Sequence, residues 1–238
     1  MESENKPSEV NRPPIGVKWA HAIKAVAFDM DGLMVNTEDL YTDVSQIILK
    51  RRNREFTPEL KNSMMGLPAQ QAFEKMIEWE NLDDSVETLA SETAEEFAAI
   101  LPHRLKLLPG VVDLLARLDQ IGLPRCVATS STERFAESVL GIAGIRERFD
   151  FVITAEHVEN GKPSPDIYHA AAERMGVIPK QMVVLEDSQH GCRAGISAGA
   201  CTVAVPGDHS RDHDFTGAYA VANQLTDRLI FDLLETQV

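Results

Sequence analysis

Short apolar runs that alternate with amphipathic, helix-length segments constrain the fold of this chain more than any other feature. Beyond about residue 106, the runs "RCVAT", "FDFVIT" and "QMVVLE" are each followed by a segment with helical periodicity, and "CTVAV" and "AYAV" are read as further strands before the closing segment "LTDRLIFDLLE". The earlier run "IKAVAF", at 23–28, has the same buried-strand character. Repeated β–α units predict a parallel, doubly wound sheet, so the expected fold class is α/β.

A different pattern interrupts this alternation after the first strand. From about Asp39 to Leu101 the apolar residues recur at helical spacing, with almost no strand signal. Breaks near residues 57, 66 and 83 divide the stretch into several helices, which predicts an inserted all-α domain. The expected organisation is a disordered N-terminal tail at 1–19, an α/β core domain at 20–36 and 106–238, and a helical cap domain at 37–105.

The charge balance excludes two broad classes of partner. With 37 acidic against 23 basic residues and a net charge of −14, the chain is unsuited to general binding of nucleic acid or of an anionic membrane surface. The polar start, "MESENKPSEVNRPPIG", is neither a signal peptide nor a transit peptide. Three cysteines without a disulfide or metal pattern favour a reducing compartment. We therefore expect a cytoplasmic protein that is a monomer or a weak homodimer.

Chemically active side chains stand where the predicted strands end. Asp29 and Asp31 follow the first strand, and residues two apart in extended chain point to the same side, so their charges need a cation or a shared proton. Thr129, followed by Ser130 and Ser131, comes after the strand "CVA", and Lys162 lies in the "NGKPSPD" loop after the next strand. Because ligands of doubly wound sheets bind at the carboxyl ends of the strands, these residues are expected to meet in one site.

A further strand end adds Glu186 and Asp187 from "VVLEDS". Clustered carboxylates suit Mg²⁺, which binds a few protein carboxylates together with a substrate phosphate. One free carboxylate can attack phosphorus, a second can transfer a proton, and a lysine and hydroxyls can hold the phosphoryl oxygens. A Ser188 side chain that caps the next helix would leave Asp187 free to bind the metal.

Four segments in order, "DMDGLMVNTE", "VATSS", "GKPSPD" and "VLEDSQHG", resemble the motifs of the haloacid dehalogenase superfamily of phosphohydrolases. The similarity is greatest to its β-phosphoglucomutase-like branch with a helical cap of the C1 type, and it covers the chain from about residue 23 onward. It implies a Rossmann-like core and an Mg²⁺-dependent phosphatase of a small phosphorylated metabolite, a sugar phosphate or a nucleotide-like ester. The implied reaction passes through an aspartyl-phosphate.

The same resemblance implies a role for each motif residue. Asp29 would be the nucleophile and a metal ligand, while Asp31 would be the general acid/base and would bind the metal through its backbone carbonyl. Asp187 would bind Mg²⁺, with Glu186 supporting it directly or through water. The residues expected to bind the substrate phosphate are Thr129, Lys162 and, mainly through its backbone, Ser130. The cap would hinge near 36–38 and near 103–106.

Two alternatives to hydrolysis remain at this point. A sugar phosphomutase of the β-phosphoglucomutase type would carry an arginine where this chain has Ala69 and a histidine where it has Tyr41, so hydrolysis is preferred. A non-enzymatic phosphoacceptor resembling a bacterial receiver would take phosphate on a later strand and would have no helical insert. One departure from the resembled pattern is Asn36, which replaces an acidic residue of many relatives.

Overall fold

The computed structural model describes residues 18–64, 67 and 69–235 of the chain. Within them one sheet of six parallel strands has the spatial order β3-β2-β1-β4-β5-β6. The strands are β1 (Ala25–Phe28), β2 (Arg125–Ala128), β3 (Phe151–Ile153), β4 (Met182–Glu186), β5 (Cys201–Ala204) and β6 (Ala220–Val221). The α/β class expected from the sequence, with a doubly wound parallel sheet, is confirmed.

The described residues also form nine α-helices. They are α1 (Thr37–Arg51), α2 (Pro58–Met64), α3 (Ala69–Glu80), α4 (Val86–Arg104), α5 (Val111–Ile121), α6 (Glu133–Ile142), α7 (Asp166–Arg174), α8 (Gln189–Ser197) and α9 (Arg228–Glu235). The first four lie in the stretch that the sequence predicts to be all-helical. Of the other five, α5 to α8 alternate with β2 to β5, as expected for β–α units, whereas β6 follows β5 without an α-helix between them and precedes α9.

β1 lies at the centre of the sheet and sets the alignment of the strand ends. Its last residue, Phe28, is in register with Val127 of β2 and with Leu185 of β4. All four residues of β1 are buried, because helices cover both faces of a parallel sheet of this kind. Since parallel strands in register end at the same edge, the residues after β1, β2 and β4 are brought to one place.

One strand is shorter than its sequence predicts. The run "FDFVIT" reads as six strand residues, but β3 comprises only Phe151–Ile153. Phe149 is the cap of a 3₁₀ turn over Arg146–Arg148, and the Asp150 side chain accepts a hydrogen bond from the backbone N–H of Arg125 at 2.9 Å. The turn and this bond take the first two residues out of the strand.

The chain divides into two compact units. The described residues up to Val35 and from Leu107 onward form the core unit, and Asn36–Lys106 form the inserted unit. In the core unit, Val35 and Leu107 form an antiparallel bridge, so the points at which the chain leaves and returns are adjacent. In the inserted unit, the Asn36 backbone N–H donates to the Lys106 carbonyl at 3.2 Å, and the Asn36 Oδ1 accepts from the Lys106 N–H at 2.7 Å.

The inserted unit combines an apolar interior with a group of ion pairs. Val44 and Ile48 of α1 are buried, as are Leu89 and Phe97 of α4. At the end of α1, the Arg52 guanidinium donates to both carboxylate oxygens of Asp84 and to both of Glu92, at 2.6–3.0 Å. These bonds connect the end of α1 to the segment that begins α4.

The described chain begins inside the region predicted to be a disordered tail. Residues 1–17 lie outside the described part, as do three residues around the break expected near residue 66. Trp19, however, packs edge-on against Tyr219 and donates from Nε1 to the Lys180 carbonyl at 2.8 Å. None of the helices in the described part combines the length and apolar character needed to cross a bilayer.

Candidate active site

Four polar side chains meet at the carboxyl edge of the sheet. Asp29 follows β1, Thr129 follows β2, Lys162 lies in the loop between β3 and α7, and Glu186 is the last residue of β4. The hydrogen-bond ladder extends past the strand ends, with Asp29 N–H donating to the Leu185 carbonyl and Thr129 N–H to the Ile153 carbonyl, both at 3.0 Å. This extension fixes the backbone from which the side chains project.

Lys162 is the centre of this group, with its side chain only 5% exposed. Its Nζ donates to Asp29 Oδ1 at 2.5 Å, to Glu186 Oε1 at 2.6 Å and to the Ala128 carbonyl at 2.8 Å. An ammonium has three hydrogens, so these bonds satisfy it completely. The ring of Tyr168 lies 5.3 Å from Nζ, within the range of a cation–π contact.

The loop that carries Lys162 is held by the start of α7. Asp166 accepts from the Asn160 side chain at 3.0 Å and backbone at 3.2 Å, and from the Ser164 hydroxyl at 2.6 Å. The Lys162–Pro163 peptide bond is cis. The lysine is therefore positioned by a structured turn, which is consistent with the two prolines in the "GKPSPD" segment.

Glu186 is buried and has hydrogen-bond donors on both oxygens. Its Oε1 accepts from Lys162 and also from the Tyr168 hydroxyl at 2.6 Å, while its Oε2 accepts from the Ser188 hydroxyl at 3.2 Å. The carboxylate lies against the first turn of α8, where a Cβ on Gly191 would come within 1.8 Å of Oε1. A glycine is therefore required at position 191 for Glu186 to take this orientation.

The predicted cap of α8 is confirmed. The Ser188 hydroxyl accepts a hydrogen bond from the Gly191 backbone N–H at 3.1 Å, as an N-cap serine does. Asp187 does not have to serve as this cap. It is 7% exposed, and the buried Ser210 hydroxyl lies 3.5 Å from its Oδ2.

Burial and charge shift the ionisation of the group. Burial raises the pKa of Asp29, and the neighbouring Glu186 carboxylate raises it further, against the opposing effect of Lys162. Burial alone would lower the pKa of Lys162, but Asp29 and Glu186 outweigh it and raise that pKa above its ordinary value. Lys162 is thus held in its charged form, whereas the net effect on Asp29 is a raised pKa, which favours its protonated form.

Asp31 has two very different oxygens. Its Oδ2 accepts from the Ser131 hydroxyl at 2.8 Å and from the Thr129 hydroxyl at 3.2 Å. Its Oδ1 is buried and has no hydrogen-bond partner among the described residues. The Asp31 carboxylate is therefore held at one oxygen and, within the described part of the chain, unpartnered at the other.

The sequence prediction omitted Ser131 from the site. It named Ser130, expected to act mainly through its backbone, and the structure places the Ser130 residue at the surface. The hydroxyl that reaches Asp31 belongs to the next residue. Thr129 and Ser131 are two apart, and in extended chain such residues share a side, so the "TSS" sequence already contained this signal.

The carboxylates fit a hard divalent cation. Asp29, Glu186 and Asp187 each offer one oxygen, and these atoms lie within 4.8 Å of one another. An all-oxygen donor set with several negative charges is the type that binds Mg²⁺. Asp31 is not in this group through its side chain, and its predicted contribution to the metal was through the backbone carbonyl.

Comparisons with known proteins agree with this arrangement. The profile of the family described as "Haloacid dehalogenase-like hydrolase" matches residues 26–205. The chain is 33% identical over 177 residues to "Phosphorylated carbohydrates phosphatase" of Thermotoga maritima, which covers 74% of this chain and 82% of that protein. It is 36% identical over 208 residues to "Probable pseudouridine-5'-phosphatase" of Drosophila melanogaster, covering 84% of this chain and 89% of the relative.

A solved structure shows the same fold. The crystal structure of a CbbY variant from Rhodobacter sphaeroides in complex with xylulose-(1,5)-bisphosphate matches with a TM-score of 0.74 and 25% identity. The match covers 86% of this chain and 96% of that one. Because the curated relatives above are phosphatases, the expected enzyme class, a phosphatase of the haloacid dehalogenase type, is confirmed. This chain belongs to the haloacid dehalogenase-like hydrolase family.

Proposed function

We propose that this protein is an Mg²⁺-dependent phosphomonoester hydrolase that acts on a small phosphorylated metabolite through a phospho-Asp29 intermediate. The observation that carries the proposal is the set of contacts around Asp29. Its carboxylate is bound by Lys162 at 2.5 Å and lies beside the carboxylates of Glu186 and Asp187. A nucleophile, a fixed cation and a metal-binding group are thus placed together at the end of β1.

The substrate class is inferred from the relatives. One relative is named for phosphorylated carbohydrates and another for pseudouridine 5′-phosphate. A sugar phosphate or a nucleotide-like ester is the substrate that we infer. Because both relatives are named as phosphatases, we prefer hydrolysis to phosphomutase activity. We also retain the expectation of a cytoplasmic protein.

In the first step, an Asp29 oxygen attacks phosphorus and forms an O–P bond as the bond to the ester oxygen breaks. Asp31, protonated at this stage, gives its proton to the departing oxygen, which leaves as an alcohol. The positive charge of Lys162 offsets the negative charge that develops on the phosphoryl oxygens, while the Thr129 hydroxyl donates to Asp31. Each of these groups is already fixed by the contacts described above.

In the second step, water attacks the phosphorus of phospho-Asp29 and releases inorganic phosphate. Asp31 takes a proton from that water, and the O–P bond to Asp29 breaks, so the carboxylate is restored. The residues that would hold Mg²⁺ are Asp29, Asp187 and Glu186, together with the Asp31 backbone carbonyl. When bound, the ion supplies positive charge that offsets repulsion between the carboxylates and the phosphate.

The nucleophile is tested by replacing Asp29 with asparagine. Asp29→Asn should lower phosphate release from an aryl phosphate at least about 10³-fold, because the amide cannot form the covalent intermediate. Asp113→Asn, on the exposed surface of α5, is the matched control and should retain activity. Activity of the Asp29 variant close to that of the wild type would refute the assignment.

Two further measurements test the metal and the intermediate. Chelator should abolish turnover, and Mg²⁺ should restore it, across a panel of sugar phosphates and nucleoside monophosphates. Mg²⁺ with beryllium fluoride, which mimics an aspartyl-phosphate, should raise the thermal unfolding midpoint of the wild type and not of Asp29→Asn. Turnover that is insensitive to chelator would contradict the metal dependence.

A further inference from the structure

We propose that Ser131 is a positioning residue that holds Asp31 so that its Oδ1 faces the oxygen leaving the substrate. The inference rests on the proposed function, because it assigns to Asp31 the transfer of the proton. The expected site residues did not include Ser131, although it is the last residue of the "VATSS" segment. Its role follows from three hydrogen bonds that join Ser131, Thr129 and Asp31, and from the unequal surroundings of the two Asp31 oxygens.

Ser131 acts on Asp31 through both its side chain and its backbone. The hydroxyl donates to Asp31 Oδ2 at 2.8 Å, the shorter of the two bonds that this oxygen accepts. The Ser131 backbone N–H donates to the Thr129 Oγ1 at 3.1 Å. A hydroxyl has one hydrogen, so Thr129, once it accepts this bond, directs its own hydrogen to Asp31 Oδ2.

The hydroxyls of Thr129 and Ser131 both donate to the same oxygen of Asp31, so one carboxylate oxygen is hydrogen-bonded and the other has no partner in the described part of the chain. Oδ2 accepts two hydrogen bonds and therefore cannot carry the proton without displacing a donor. Oδ1 is buried and unpartnered among the described residues, and a buried oxygen without a hydrogen-bond partner is unfavourable. The oxygen of the bound ester, which must receive a proton as it leaves, supplies such a partner.

Ser131 is itself held by the elements on either side. Thr129 extends the ladder of β2 through its bond to Ile153, and Thr132 is the N-cap of α6, accepting from the Phe135 N–H at 3.4 Å. The residue between these two anchors has little freedom. A serine hydroxyl at this point is therefore a fixed donor, which is what the orientation of a proton-transferring carboxylate requires.

The test uses the dependence of rate on the leaving group. For Mg²⁺-saturated enzyme, kcat/KM is measured over a series of phosphate monoesters, from nitrophenyl to alkyl leaving groups. A misoriented Asp31 protonates poorly, so Ser131→Ala should lower kcat/KM about 10-fold or more for alkyl esters and less than about 3-fold for nitrophenyl esters. The slope of log(kcat/KM) against leaving-group pKa should become steeper.

Three variants separate positioning from a merely structural role. Ser138→Ala, an exposed serine of α6, is the matched control and should keep the wild-type slope. Ser131→Cys keeps the side-chain volume with a weaker donor and should steepen the slope in the same direction, even if Ser131→Ala folds poorly. Asp31→Asn provides the limiting slope for an enzyme without the proton donor.

Each outcome decides between the two proposals. If wild-type turnover depends on Mg²⁺ and on Asp29, but both Ser131 variants lose the same factor on every ester or lose nothing, the role of Ser131 is overturned and the function stands. If the wild type hydrolyses no ester in the series, the proposed function and the role of Ser131 both fail.

Discussion

At the scale of single residues, the site depends on Gly191 because this residue has no Cβ. The space that its side chain would fill is taken by the carboxylate of Glu186. That carboxylate cannot swing aside freely, because Lys162, Tyr168 and Ser188 all donate to it. The position of the charged group thus depends on a residue with no chemistry of its own.

Gly191→Ala should displace Glu186 and disturb the placement of Lys162. We expect kcat/KM to fall at least about 10-fold and the free energy of unfolding to fall by about 1–3 kcal/mol, because hydrogen bonds to a buried carboxylate are lost. Steady-state kinetics and urea denaturation measure the two effects.

Gly141→Ala is the control for this substitution. No described atom outside its own helix lies within 4 Å of a Cβ placed at Gly141, so alanine there should leave activity unchanged and stabilise α6 slightly. An alanine at 191 that is equally harmless would show that Glu186 is free to move.

The sequence was most informative about residues whose role follows from their place at a strand end. Asp29, Thr129 and Glu186 were all expected at the carboxyl edge, and the sheet brings them there. The hydrogen bond from Tyr168 to Glu186 was not predictable, because Tyr168 reads as an ordinary apolar position of α7. The hydrogen-bond partner of the Tyr168 hydroxyl depends on how α7 packs against β4. Local sequence carries no information on this packing.

At the scale of elements, the end of α1 is tied to α4 by the Arg52 guanidinium. Arg52→Gln should reduce the free energy of unfolding by about 1–2 kcal/mol, since these pairs are part-exposed and solvent screens them. The bonds from Arg52 lower the pKa of Asp84 below 3.8 and the pKa of Glu92 below 4.5.

The pH dependence of that variant has a definite sign. Because the folded state lowers both pKa values, the stabilisation is complete above about pH 5 and is lost as pH falls through and below the ordinary values. The difference in unfolding free energy between wild type and Arg52→Gln should therefore shrink from pH 6 to pH 3. Lys50→Gln, an exposed neighbour, should show a much smaller difference, and a gap for Arg52→Gln that widens in acid would contradict the ion-pair explanation.

The sequence predicted which segments form helices and strands, but not the residues at which every element begins and ends. Strong apolar periodicity was enough to indicate α5 and α6, and the cap at Ser188 was predicted from its place before α8. The start of β3 was missed because the side chain of Asp150 bonds to the Arg125 backbone, a tertiary contact that competes with strand pairing. Such competition decides the ends of elements more than their interiors.

At the scale of the whole molecule, all three cysteines lie in the core unit. Cys126, Cys192 and Cys201 are buried, and burial raises the pKa of each thiol, that of Cys201 to about 12. The reactive thiolate form is therefore scarce in the folded protein, in addition to being inaccessible.

The native protein should consequently resist an aromatic disulfide reagent that labels free glutathione at once. During urea unfolding, labelling should appear only as the core unit opens, whereas far-ultraviolet circular dichroism also follows the helices of the inserted unit. Denatured protein should yield three thiols per chain. Rapid labelling of the native enzyme would contradict the burial of these residues.

The bridge between Val35 and Leu107 also bears on how the sheet assembles. β1 must find β2, and the aligned residues Val26 and Arg125 are separated by almost a hundred positions. If Asn36–Lys106 folds first, the hydrogen bonds between Asn36 and Lys106 bring its two ends together and remove most of that separation. The entropic free energy of closing the remaining loop is then lower by about 1 kcal/mol. Early folding of the inserted unit would therefore speed the pairing of β1 with β2.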